Sequence, residues 1–241
     1  MAAEELGNVG KTPAGDIMTS RKVYIVTLVQ PSPGAPEGFE ERYNAYWAAV
    51  EQQVSQLEAK AGIVMRIFAE GVIGRGDDAM LMVKQSNPAA HSFVQRRVLA
   101  GAVFEELEDT DLFGQVIDWG RCLQSGLINR SVADTIQAHY TEAADKRIVH
   151  MAQRLSEGIL ESEAAVLLTG DQNIELPDGV ERFIVSPPEL DELSRWVEQA
   201  NQAIQKQMAE EQARVAAGEP PTAQSPADQD NGGSKLWTPG S

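Results

Sequence analysis

Cysteine is nearly absent. The single Cys122 excludes an internal disulfide framework and an all-thiolate zinc site. Long apolar runs are absent too. None approaches the roughly 18–20 residues that a membrane-spanning helix needs, so no span is expected. Basic residues are scarce, with 20 Lys and Arg against 36 Asp and Glu and a formal net charge of -16. A general phosphate-backbone binder carries a basic face, so nucleic acid is not an expected partner. Aromatic residues make up only 6 %. Several signatures are missing as well: the Gly-x-Ser-x-Gly elbow, His-Glu-x-x-His, Cys-x-x-Cys and a complete phosphate loop. There is no internal repeat of fixed period.

What is present is a 241-residue chain with 42 % hydrophobic residues. That is enough for one sizeable core or two small ones. Residues 1–20 lack the cationic and apolar stretches of a secretory signal and read as a disordered lead-in. With the lone cysteine, this points to the cytoplasm. Residues 217–241 are rich in Pro, Gly, Ser, Asp and Gln and read as a flexible tail. Lys235, Leu236 and Trp237 return after that linker and resemble a docking peptide for a protein partner, with Trp237 as anchor. The tails hold few charges. Glu4, Glu5 and Asp16 stand against Lys11 in one, and Glu219, Asp228 and Asp230 against Lys235 in the other. Most of the excess acid therefore belongs to the body, residues 21–216.

Two parts of that body are expected, an N-terminal α/β part at 21–105 and a helical segment plus C-terminal α/β part at 106–216. KVYIVTLV (22–29) has the composition of a buried strand. Phe39, Tyr43, Trp47, Val50, Val54 and Leu57 then recur at the three- and four-residue steps of one helix face, which ends at Ala61-Gly62. A second strand follows at 63–68. Asp77-Asp78 opens a short helix, and Asn87-Pro88 caps another. Thr110 is expected to cap a helix in which Leu112, Val116, Gly120 and Leu123 share a face. Ser131 opens a long helix through Ile159. Three strands are expected next, at 164–168, 174–176 and 180–185, the last two joined by the Pro177-Asp178-Gly179 turn. Ser186-Pro-Pro-Glu189 is a capping box for the final helix. The pattern predicts an α/β or α+β protein with a mixed sheet and long amphipathic helices. It leaves open two sub-domains or one sheet built from both strand groups.

Candidate chemistry is sparse. Gly71-Val-Ile-Gly74-Arg75-Gly76 lies between a strand and a helix, where phosphate loops sit. Asp77 and Asp78 then place two like charges where a phosphate would dock, each costing about 1 kcal/mol at 4 Å even in water. Gly74, Arg75 and Gly76 with Cys122 are the candidate ligand-binding residues. Cys122 would need a base and a lowered pKa to act as a nucleophile. His139, Glu142, Lys146 and His150 share a helix side, but the outer two are about 16 Å apart along the axis, too far for one ion. Asp109-Thr-Asp111-Leu-Phe-Gly114 begins like a calcium loop. It lacks the fifth and twelfth ligands, because Phe113 and Gly120 stand there. No metal, cofactor or catalytic residue is assigned on these grounds.

Two stretches, DWGRCLQSGL (118–127) and VLLTGDQNIELPDGVERFIVSPPELDELSRWVEQ (166–199), resemble a family of uncharacterised bacterial proteins. Those share a strand, a polar turn, a strand ending in Pro-Pro and a helix with Leu-Asp-Glu and Trp. The resemblance covers about residues 40–200 and implies no assigned activity. Residues 164–200 are also similar in strand order to the last domain of peptide-chain release-factor-like proteins, an analogy of pattern.

Three functional expectations follow. The first is a non-enzymatic interaction or adaptor protein, with a homodimer as one way to bury the amphipathic faces. The second is a ligand-binding protein or enzyme whose site gathers Gly74, Asp111, Cys122 and His150. The third is a translation-associated, release-factor-like protein.

Overall fold

A computed structural model describes residues 20–216, apart from Pro33 and residues 171–173. The lead-in at 1–19 and the tail at 217–241, with the candidate docking residues Lys235, Leu236 and Trp237, lie outside the described residues.

The strands are β1 (Arg21–Thr27), β2 (Val64–Ala69), β3 (Val103–Phe104), β4 (Ala164–Thr169) and β5 (Val180–Val185). The helices are α1 (Phe39–Ala61), α2 (Gly76–Ser86), α3 (Pro88–Leu99), α4 (Thr110–Gln124), α5 (Arg130–Gly158) and α6 (Pro188–Ala216). All five strands join one sheet in the order β3-β2-β4-β1-β5. Both strand groups thus contribute to a single sheet. The α/β class holds, and every pairing in the sheet is parallel. The expected mixed sheet therefore takes an all-parallel form.

The reason is burial. A strand covered on both faces reads as a continuous apolar run. Val23 to Val26 and Ala164 to Leu168 are buried without a break. Side chains alternate between faces. Tyr24, Val26, Ile67, Val166 and Leu168 face α1, α2, α3 and α6 in the larger core. Val23, Ile25, Phe68, Ala165 and Leu167 face the second half of α5 through Met151, Leu155 and Ile159.

α1 buries Phe39, Tyr43, Trp47, Val50 and Val54, the face its spacing predicts. It ends at Gly62, whose φ of 134° admits no side chain without strain. Asn87 caps α3 by accepting from Ala90 N–H at 2.9 Å.

Several details differ from expectation. Asp109, not Thr110, caps α4, its Oδ1 accepting from Leu112 N–H at 2.8 Å. Asn129, not Ser131, caps α5. Each carries a short side-chain acceptor that reaches the orphan N–H groups of the first turn. No strand forms at 174–176. Ile174 and Leu176 pack against the smaller core instead, because β5 pairs in parallel with β1 and leaves no antiparallel neighbour. The turn at Pro177–Gly179 still forms, with Val180 N–H donating to the Pro177 carbonyl at 3.3 Å. Among the described residues, no helix is long and apolar enough to cross a membrane.

Candidate functional site

In parallel α/β sheets, ligands gather outside the carboxyl ends of the strands. At that edge β2 ends beside β4, and the next residues are Glu70-Gly71 and Gly170. Glu70 Oε2 accepts from Thr169 Oγ1 and from Gly170 N–H, each at 2.8 Å. Glu108 follows β3 and is fully buried. Its Oε1 accepts from Gly71 N–H at 2.7 Å. Arg147 of α5 reaches between the two carboxylates. Its Nε donates to Glu108 Oε2 at 2.8 Å and its Nη2 donates to Glu70 Oε1 at 3.1 Å, with a further contact to Glu108 Oε1. The guanidinium also lies over the Phe113 ring, 5.4 Å from its centroid.

Burial pushes the Glu70 carboxyl up. The Gly170 N–H, the Thr169 hydroxyl and Arg147 more than offset it, and the group sits below the usual carboxylate range. Burial works against the Arg147 cation, and Glu108 and Glu70 outweigh that too. The cluster is closed: its donors and acceptors satisfy one another. It ties β2, β4, the segment after β3 and α5 into one unit, at the point where α5 leaves the sheet.

The acidic run at 105–111 is spent in the same way. Glu105 and Glu163 clamp Arg66, Glu108 takes Arg147, and Asp109 caps α4. Asp111 lies in the first turn of α4, where an acid favours the positive end of the helix dipole. In the basic doublet Arg96-Arg97 the second residue is internal as well, while Arg96 stays exposed and pairs with Glu51 at 3.3 Å. Arg97 is buried, bonded to Glu51 at 2.9 Å and Glu58 at 3.0 Å, and lies over Phe93.

The glycine loop and Cys122 are placed apart. Gly76 begins α2, and Arg75 stands at its cap without a side-chain bond. Gly74 adopts a φ of 88° to make the turn. A Cβ on Gly71 would meet Phe113 of α4 at 3.9 Å. Cys122 lies nine residues further along that helix, about 13 Å away along its axis. It sits with Asp111, Gly114, Gln115, Asp118 and Trp119 on a groove of about 550 Å³. His139 stacks on Trp119 with ring centroids 5.0 Å apart. Glu142 pairs with Lys146 at 2.7 Å. Among the described residues, no group of three His, Cys, Asp or Glu is placed to hold a metal ion.

Two concave regions lie at the carboxyl edge. A cleft of about 770 Å³ runs between the loop after β1 and the first turns of α1 and α3, with Pro31, Pro36, Glu37, Phe39, Tyr43 and Pro88 among its lining residues. A cavity of about 100 Å³ lies beside Gln30, Glu70, Gly71 and Asn87. Sequence reasoning missed the cleft; the signal that could have found it is QPSPGAPEG (30–38), whose three prolines stiffen the loop after β1.

The most distinctive feature is α4 with the first half of α5. Asp109 and Asn129 start the two helices, and a five-residue turn containing Gly126 at φ 74° reverses the chain between them. They pack on each other as an antiparallel hairpin, Gly120 lying against Tyr140. Leu112, Val116, Trp119 and Leu123 lie along α4 and are partly buried. Ile117 and Val132 are more than a third exposed, and Ile128 at the tip is wholly exposed. Each helix spans about 22–25 Å over this stretch. The root of the hairpin is held by Phe113 and Arg147 at the carboxyl edge, and the remainder forms an arm. No family model, no curated protein and no solved structure matches the chain.

Proposed function

We propose that the protein is a non-enzymatic interaction protein that works through the α4–α5 arm. One observation carries this reading. The α4–α5 hairpin leaves Ile117, Ile128, Val132, Ile148 and Val149 between 37 % and 102 % exposed. Helices in proteins draw most of their stability from packing an apolar face. A two-helix arm with Ile117, Ile128 and Val132 exposed lacks a covering layer over them, and a protein partner supplies one. The arm is rooted in the Glu70–Arg147–Glu108 cluster, which holds it rigidly to the sheet. The same reading places the protein in the cytoplasm, where a lone thiol stays reduced. It assigns the tail a secondary docking role through Leu236 and Trp237.

Replacing Ile128 and Val132 together by Asp keeps both positions solvent-exposed, so the fold survives. Capture of partner protein from native lysate is then compared for the parent chain, this variant and a chain lacking 218–241. Loss of capture in the arm variant supports the reading. Unchanged capture with an intact circular dichroism spectrum removes the arm from it.

A second reading is a ligand-binding protein, supported by the cleft of about 770 Å³ at the carboxyl edge, a volume within the usual range for small-molecule sites. Saturable binding of a small molecule that is lost on Ala89→Trp, which fills the cleft, would favour it.

A further inference from the structure

We infer that the cleft at the carboxyl edge takes a small organic cation, an ammonium carried on a flat apolar body. This deepens the ligand-binding reading of that cleft and rests on it.

The lining is rich in acceptors. Pro31, Pro36 and Pro88 line the cleft and carry no N–H. Ala35 N–H already donates to the Ser32 carbonyl at 3.1 Å, and Phe39 N–H to the Pro36 carbonyl at 3.2 Å. The Ser92 hydroxyl donates to the Pro88 carbonyl at 3.1 Å, which leaves its oxygen as an acceptor. The carboxylates of Glu37 and Glu40 stand exposed on the rim, and neither forms an ion pair among the described residues. An ammonium has three donors and no acceptor, the complement of such a lining. The floor is apolar. Phe39 and Tyr43 are buried there and stack with ring centroids 5.9 Å apart. A flat apolar body on the ligand gains by covering them.

One feature favours an anion instead. α1 starts at the cleft without a side-chain cap, and helix starts attract negative charge. Charge decides between the two. The loop after β1, the first two turns of α1, α3 and α6 and the last turn of α2 carry six acids, Glu37, Glu40 and Glu41 among them, against Arg42, Lys84 and Arg195. That is an excess of three negative charges. The three helix starts return about half a positive charge each, so the region stays negative by about one and a half charges. Burial and Lys84 hold His91 below its ordinary value, and it is neutral at pH 7. Arg42 lies over the Trp196 ring, 5.2 Å from its centroid, and donates to the Gly38 carbonyl at 2.9 Å, which commits its guanidinium to the contact with α6. Among the described residues, no Lys, Arg or His lines the cleft itself.

The test titrates the full chain with tryptamine, 3-ethylindole and indole-3-propionate, each to about 5 mM, and follows backbone amides by NMR. The three probes share the indole ring and differ in carrying an ammonium, no charge or a carboxylate. Tryptamine is expected to shift the amides of residues 39–44 and 89–92 saturably, with a Kd of about 0.1–1 mM. Indole-3-propionate should bind about tenfold more weakly or less. Glu37→Gln with Glu40→Gln should weaken tryptamine by about three- to tenfold and leave 3-ethylindole unchanged. A structural defect would weaken both probes. Binding elsewhere on this acidic protein leaves the named amides unmoved and counts as none. Indole-3-propionate binding the cleft as tightly as tryptamine overturns the inference, as does a double variant that binds tryptamine like the parent. In both cases the ligand-binding reading stands. Should none of the three shift those amides, the inference and that reading fall together.

Discussion

Replacing Arg147 by Met removes the cation from between Glu70 and Glu108 while keeping an unbranched stem against Phe113. The consequence follows from the geometry. Arg147 makes bonds of 2.8 Å to Glu108 and 3.1 Å to Glu70. Breaking a buried ion pair by removing one partner costs about 3–5 kcal/mol, because the remaining charge is uncompensated. Glu108 is fully buried, but the Glu70 side chain is 28 % exposed, and water screens part of its charge. Both carboxylates keep backbone donors, at Gly71 and Gly170. The lower end applies, about 3 kcal/mol, which for a domain of this size lowers Tm by about 6–12 °C.

The pH dependence is sharper than the magnitude. In the parent, Glu70 sits below its ordinary value, so its contribution is complete above the unfolded value and constant from neutral down to about pH 5. In the variant, Glu70 keeps the burial that pushes its carboxyl up and loses the guanidinium that helped hold it down. A carboxyl whose folded value is raised loses stability as pH rises through that value. The variant should therefore gain stability between about pH 8 and pH 5, while the parent changes little. Urea midpoints at three pH values measure this, and adding Glu70→Gln should remove the slope. A loss below about 1 kcal/mol, or a variant whose midpoint is flat over this range, would refute the reasoning.

Further expectations rest on single contacts. A Cβ at Gly158 would fall 2.6 Å from Phe68 Cζ, and Phe68 is fully buried, so Gly158→Ala should cost about 1–3 kcal/mol by overpacking, read in urea. Phe68→Leu in the same chain should recover much of that loss. Asn87 accepts from Ala90 N–H and Tyr43 Oη and donates to the Val29 carbonyl at 2.7 Å. Asn87→Ala removes the cap and strands two buried groups, for about 3 kcal/mol in thermal unfolding. The parent should begin to lose the Glu70 contribution as pH falls below 4.5, and Glu70→Gln should flatten that acid limb.

Much of the fold was legible because local signals and burial agreed. The three- and four-residue steps from Phe39 to Val54, the β-branched run of β1 and the Asn87-Pro88 cap each read correctly. β3 did not, since two residues leave no period to detect. The expected strand at 174–176 failed for a different reason. Its alternation is genuine, but it covers the smaller core instead of joining the sheet. Nor could spacing alone show that Arg147 bridges Glu70 and Glu108, 77 and 39 residues away. The stripe on α4 was visible as Leu112, Val116, Gly120 and Leu123. A stripe shows which face seeks cover, and only the assembled chain shows that α5 covers it, Gly120 lying against Tyr140, while Ile117 beside it stays exposed.

Hydrogen exchange of the intact chain, alone and with the protein it captures through the arm, tests the central claim most directly. Amides of residues 112–140 should exchange faster than those of β1 and β4 in the chain alone and gain protection in the complex. Arm amides that gain no protection in the complex would contradict it.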